Sequence, residues 1–199
     1  MKRRATAVIS VMCVLGLSVP ALAGCSSSSA ATGPATGSVT CNNITGSANF
    51  SPPLTLAGSA PDTLTIHLVS TGCTTSGSDV SKVVSGTAST TNTSGTSSCV
   101  GLLSSRPISV TIRWDPGTIE PSVVSFGGYS EDLAGGTGLL FPGTGHSVKV
   151  TGSFAGSDKG SGSSAKIFTT ANETELLGAC QSTAGLPSLP VSSGTLTLK

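Results

Sequence analysis

An all-β fold is predicted, a two-sheet antiparallel sandwich with Ig-like or Greek-key connections, and three observations predict it. The first is composition. Ser and Thr supply 62 of the 199 residues and Gly another 26, while only 10% are charged; few helix-favouring surface residues and many strand and turn formers point to short strands. An apolar content of 37% with so little charge argues against a disordered chain. The second is period-2 alternation of apolar with Ser/Thr residues in several segments. The third is an even set of four cysteines, Cys41, Cys73, Cys99 and Cys180, the pattern of a disulfide-stapled domain in an oxidising compartment.

The first hairpin is predicted from "CNNITGSANFSPPLTLAGS" and "DTLTIHLVSTGC", which flank the turn signal Gly58-Ser59-Ala60-Pro61-Asp62. Phe50, Leu54 and Leu56 share one parity, and Leu64, Ile66 and Leu68 share one across the turn, so each set should face the core. His67 falls out of phase with the latter and should face solvent. Residues 41 and 73 are centred on residue 57, beside the turn. Antiparallel pairing then sets Cys41 opposite Cys73 within disulfide reach, which leaves Cys99 to pair with Cys180. No pair has the C-x-x-C spacing that a zinc site favours, so no metal is expected.

Next, "ISVTIRW" sets Ile108, Val110, Ile112 and Trp114 on one face, with Trp114 expected at the rim of the core, and Asp115-Pro116-Gly117-Thr118 reads as a tight turn. The chain resumes with Ile119 to Gly128 as the partner strand. Residues 131–145 form a long Gly-rich stretch, read either as a binding loop or as an excursion in which Leu139, Leu140 and Phe141 form a short strand. "HSVKVTGSF" puts Val148, Val150 and Phe154 on one face, and the closing "GTLTL" does the same with Leu196 and Leu198. Asn172-Glu173-Thr174-Glu175 matches a capping box and predicts one helical turn before Cys180. Because each strand shows one apolar and one Ser/Thr face, two sheets packed face to face are the expected burial.

At the N-terminus, Lys2, Arg3 and Arg4 precede an apolar run from Ala5 to Val19, too short for a bilayer span, and a small-residue site follows. Residues 1–24 therefore read as an export signal. Leu22-Ala23-Gly24-Cys25 resembles the bacterial lipobox, which implies cleavage between Gly24 and Cys25 and diacylation of Cys25. The competing reading is an ordinary cut before Gly24. Two acyl chains suffice for a stable anchor. Residues 25–38, rich in Ser, Thr, Ala and Gly, read as a flexible tether, and residues 39–199 as a single β domain. Without the signal, seven Lys and Arg face nine Asp and Glu, a net charge of about −2 that leaves no basic patch for nucleic acid.

From Val39 onward, "NFSPPLTL", "TGC", "TIRW", "PSVVSFGG", "TGSFAG" and "GTLTL", taken in order, resemble a family of small exported proteins from actinobacteria, many with a signal or lipobox. The resemblance implies export and carries no activity, cofactor or catalytic residue. The residues themselves lack G-x-S-x-G, H-E-x-x-H and P-loop patterns, and the turn carboxylates Asp115, Glu120, Glu131, Asp132 and Asp158 lack any calcium-loop spacing. The expected function is thus a non-enzymatic binding or structural module, lipid-anchored on the extracytoplasmic face of the cell membrane, needing no cofactor. Its expected partner is an envelope polymer or a protein, met through an exposed patch containing Tyr129 and Phe141. The alternative is an envelope hydrolase in which a half-buried His146, with a nearby carboxylate, activates a Ser.

Overall fold

The computed structural model describes residues 33–77, 83–100, 105–132 and 137–199. The export segment, Gly24 and Cys25 lie outside the described residues. In chain order the strands are β1 (Ser38–Leu54), β2 (Pro61–Ser76), β3 (Ser85–Thr96), β4 (Ile108–Asp115), β5 (Ser122–Phe126), β6 (Ser130–Asp132), β7 (Gly138–Phe141), β8 (Val148–Gly152) and β9 (Ser164–Phe168). Helix α1 (Glu173–Gln181) follows, then β10 (Leu186–Val191) and β11 (Ser193–Leu198). The described chain is mostly β with an antiparallel sheet, as the composition predicts, and carries one helix.

The strands form one hydrogen-bonded sheet in the order β6-β7-β9-β11-β1-β2-β3-β4-β5-β8, with β10 also paired to β1. This corrects the expectation of two packed sheets. Strands β5 and β6 stand eight steps apart in that order, about 38 Å in a flat sheet at ~4.8 Å per step. The chain from Phe126 to Ser130 reaches only about 14 Å. The sheet must therefore curl, and it does so into a half-barrel in which Gly127 and Gly128 continue the β5–β8 and β6–β7 ladders on either side of the β5–β6 connection. Gly127 N–H donates to the Ser147 carbonyl at 2.8 Å and Gly143 N–H to the Gly128 carbonyl at 3.0 Å. The Phe126 and Phe141 rings meet across the seam at 5.3 Å. A curled sheet buries one face of every strand as well as a sandwich does, and for that reason alternation alone cannot separate the two.

The β1–β2 hairpin forms with Cys41 directly opposite Cys73, and the two are bonded with Cα atoms 3.9 Å apart. Cys99 is bonded to Cys180 across 6.1 Å. The face that β2 buries changes parity from Ser70 to Cys73 across Gly72, whose φ of 62° favours a residue without a side chain. Strand β3, "SGTASTTNTSGT", has no apolar period. It is a strand because β2 and β4 both supply ladder partners.

Trp114 is a core residue, 3% exposed, and not the rim residue expected. Its cross-strand partner is Gly86, where a Cβ would crowd the indole, so the missing side chain provides the space. The indole N–H donates to Ser122 Oγ at 2.9 Å, and Phe154 packs edge-on at 5.3 Å. Three other expectations change. Leu56 lies beyond the end of β1 and is 44% exposed; Tyr129 and Phe141, expected on the surface, are 3% and 8% exposed. Ala35, inside the stretch read as a flexible tether, donates to Ser153 Oγ and accepts from Phe154 N–H.

Helix α1 runs nine residues rather than one turn, capped as the sequence predicts: Asn172 Oδ1 accepts from Glu175 N–H, and Glu175 Oε2 accepts from Asn172 N–H. Its one buried residue is Cys180. A helix this short is marginal alone, so its seat depends on the disulfide and on the Leu56 N–H to Cys180 carbonyl bond at 2.9 Å.

Candidate functional site

Two polar groupings flank the seam. In the first, Asp62, at the start of β2, has a wholly buried side chain. It is held by Arg106 from the segment before β4, with Nη1 to Oδ1 at 3.2 Å and Nη2 to Oδ2 at 3.4 Å. The fork fits because Asp62 pairs with Gly95, where a Cβ would collide with the Arg106 guanidinium. Tyr129 lies beside the pair. Burial pushes its phenol above the usual 10.0, and the adjacent Arg106 guanidinium, also hydrogen-bonded to it, offsets part of that rise.

A pH dependence follows. A raised phenol pKa means that the folded chain keeps the proton longer than the unfolded chain. The stabilisation is complete below the unfolded value, near pH 10.0, and is lost as pH climbs through the higher folded value. Urea denaturation midpoints measured upward from pH 9 should fall beyond pH 10 in the native chain, and fall less steeply in Tyr129→Phe. Equal slopes would contradict the burial argument.

In the second grouping, His146 Nε2 lies 3.3 Å from Ser105 Oγ. That hydroxyl also accepts from Tyr129 N–H at 2.8 Å, and both side chains close on Gly128, where a Cβ would strike them. The structure thus brings a Ser to His146, as the hydrolase alternative requires. His146 is however exposed rather than half-buried. Among the described side chains no carboxylate hydrogen-bonds its other ring nitrogen. The open recess next to it, about 430 Å³, is walled by Pro142 and by Ser147, Ser161, Ser163 and Ser164. In nucleophilic catalysis a third group fixes the tautomer and ring direction of such a histidine. The Ser105 contacts also clip the segment before β4 to the seam. His67 is exposed on β2, as its phase predicts.

The apolar features lie elsewhere. A lumen of about 70 Å³ occupies the concave face, lined by Ile66, Ile112, Val124, Phe126, Phe141 and Ala165 among others. Its one polar side chain, Ser70, is already satisfied by donating to the Gly86 carbonyl. A groove of about 130 Å³ lies between α1 and the Cys99–Cys180 bridge, with Leu139 and Leu176 on its walls and Glu131 and Glu173 at its edge. Leu56, Val100 and Leu177, 44%, 57% and 43% exposed, also line it. The 131–145 stretch contributes here as the short-strand reading anticipates, since Leu139 lies on β7.

Sequence reasoning misses the groove, the Ser105–His146 contact and the Asp62–Arg106 pair. The one local hint of the groove is the adjacent Leu176 and Leu177 in a short helix tied at Cys180. Nothing local marks the ion pair. Among the described residues no three His, Cys, Asp or Glu side chains group as a metal site would require, and no helix is long and apolar enough to cross a membrane. No protein-family model, curated protein or solved structure matches the chain.

Proposed function

We propose that the protein is an exported, lipid-anchored and non-enzymatic binding module of the cell envelope, and that its ligand is an apolar molecule taken up at the groove beside α1. The groove carries this reading. Three large aliphatic side chains stay in water around one concavity, an arrangement that usually marks an interaction site rather than a core. The anchor is supported by Leu22-Ala23-Gly24-Cys25 and the export run before it. Two bonded cystines suit an oxidising compartment. The non-enzymatic side is supported by the sequence, which lacks G-x-S-x-G, H-E-x-x-H and P-loop patterns.

The anchor is tested by fractionating cells that express Cys25→Ala. The domain should leave the membrane or remain as unprocessed precursor, whereas unchanged attachment with a processed N-terminus would refute lipidation. The groove is tested with N-phenyl-1-naphthylamine, a neutral apolar fluorophore. Its fluorescence should rise on binding the native protein and fall at least several-fold in Leu177→Asp, which leaves the core untouched; equal signal in both would remove the groove as the site.

A further inference from the structure

The groove and the lumen lie on one face of the sheet. Leu139 on β7 is directly opposite Ile167 on β9, and Phe141 is directly opposite Ala165. Opposed residues of an antiparallel pair point to the same side. Phe141, Ala165 and Ile167 line the lumen, whereas Leu139 lines the groove. The two cavities are therefore adjacent stretches of one apolar track along β7 and β9, separated by about one pleat repeat, ~7 Å. Glu131 is in turn opposite Leu139 on β6, which sets its carboxylate at the outer end of the track, with Glu173 of α1 on the same groove.

The track is lined by apolar side chains, and in the lumen the Phe126 and Phe141 rings meet at 5.3 Å. Small residues make room for it: Ala165 stands opposite Phe141, and Ala88 stands opposite Ile112. Water gains nothing inside, because Ser70 is already paired and a water needs several polar partners. Two carboxylates at the outer end repel an anion and attract a cation.

Resting on the proposed binding function, we infer that the track holds the hydrocarbon chain of a single-chain amphiphile, its terminal methyl towards Phe141 and Ala165 and its neutral or cationic head beside Glu131 and Glu173. An anionic head is disfavoured by the groove's own charge.

The test titrates methyl-labelled protein with dodecylammonium, dodecyl maltoside and dodecanoate below their micellar concentrations. Dodecylammonium should shift the methyl signals of Leu139 and Leu177 in the groove together with those of Ile66, Ile112 and Val124 in the lumen. Dodecanoate should bind about tenfold more weakly, and Glu131→Gln/Glu173→Gln should erase that difference. Ala165→Leu, which fills the lumen, should weaken all three probes while the melting temperature holds or rises; the wild-type shifts stand as evidence should this variant fold poorly. Shifts confined to the groove would overturn the chain-in-lumen inference and leave the groove reading intact. Dodecanoate binding as tightly as dodecylammonium would overturn the head-group assignment. No shift in either cavity with any probe would overturn both readings.

Discussion

Arg106→Met destabilises the fold by about 3–5 kcal/mol, because it leaves Asp62 charged without the only cation that pairs with it among the described residues. The Asp62 side chain is wholly buried and that of Arg106 is 13% exposed, so solvent screens the pair little. A loss of that size consumes a large share of the ~5–15 kcal/mol that holds a domain together. The double variant Asp62→Leu/Arg106→Met should recover most of it, since an apolar pair of similar volume removes the uncompensated charge. Urea denaturation of the two single variants and the double gives the coupling directly. A single-variant cost under ~1 kcal/mol would mean that water reaches the pair. Gly95→Ala should resemble the single variants, because its Cβ would displace the guanidinium.

Removing the Cys99–Cys180 bond as Cys99→Ala/Cys180→Ala costs about 4–5 kcal/mol on the chain-entropy account, given the long loop it closes. That loop spans 81 residues, against 32 for Cys41–Cys73. The effect should also be local. Cys180 is the one residue that α1 buries, so the helix loses its attachment and the groove loses the wall made by Leu176 and Leu177. Amide exchange should show α1 opening while β1 and β2 stay protected, and N-phenyl-1-naphthylamine binding should vanish at temperatures where the sheet survives. Cys41→Ala/Cys73→Ala is the control, with a cost of about 3–4 kcal/mol and α1 protected as before. Equal protection of α1 in both variants would show that packing, not the disulfide, seats the helix.

Short-range signals account for what was legible. The first hairpin, its cross-strand cystine, the Asp115-Pro116 turn and the Asn172 cap all depend on residues close in sequence whose chemistry acts on their own backbone. Strand β3 was illegible because it has no apolar period, and its buried Gly86 and Ala88 are small to admit Trp114 and to leave the lumen open. Strand β10, "LPSLPV", was hidden by two prolines, which the pairing with β1 tolerates. Of the candidate site, His146 was legible as a residue and Ser105 was not. Their meeting depends on how the segments before β4 and after β7 come together at the seam.

The sequence by itself determined the β class, the apolar face of the alternating strands such as β4, the likeness of Leu22-Ala23-Gly24-Cys25 to a lipidation site, and through the hairpin the two cystines. These rest on periods of two and on neighbours within a few residues, where backbone sterics and side-chain alternation act directly. Only the tertiary structure decided that the apolar faces turn inward on a single curled sheet. It alone also set Arg106 on Asp62 and placed Leu139 of the groove opposite Ile167 of the lumen. The reason is that curling is settled by short connections between strands distant in the ladder, above all the three residues between β5 and β6. Such closure couples residues across the chain that no local pattern links.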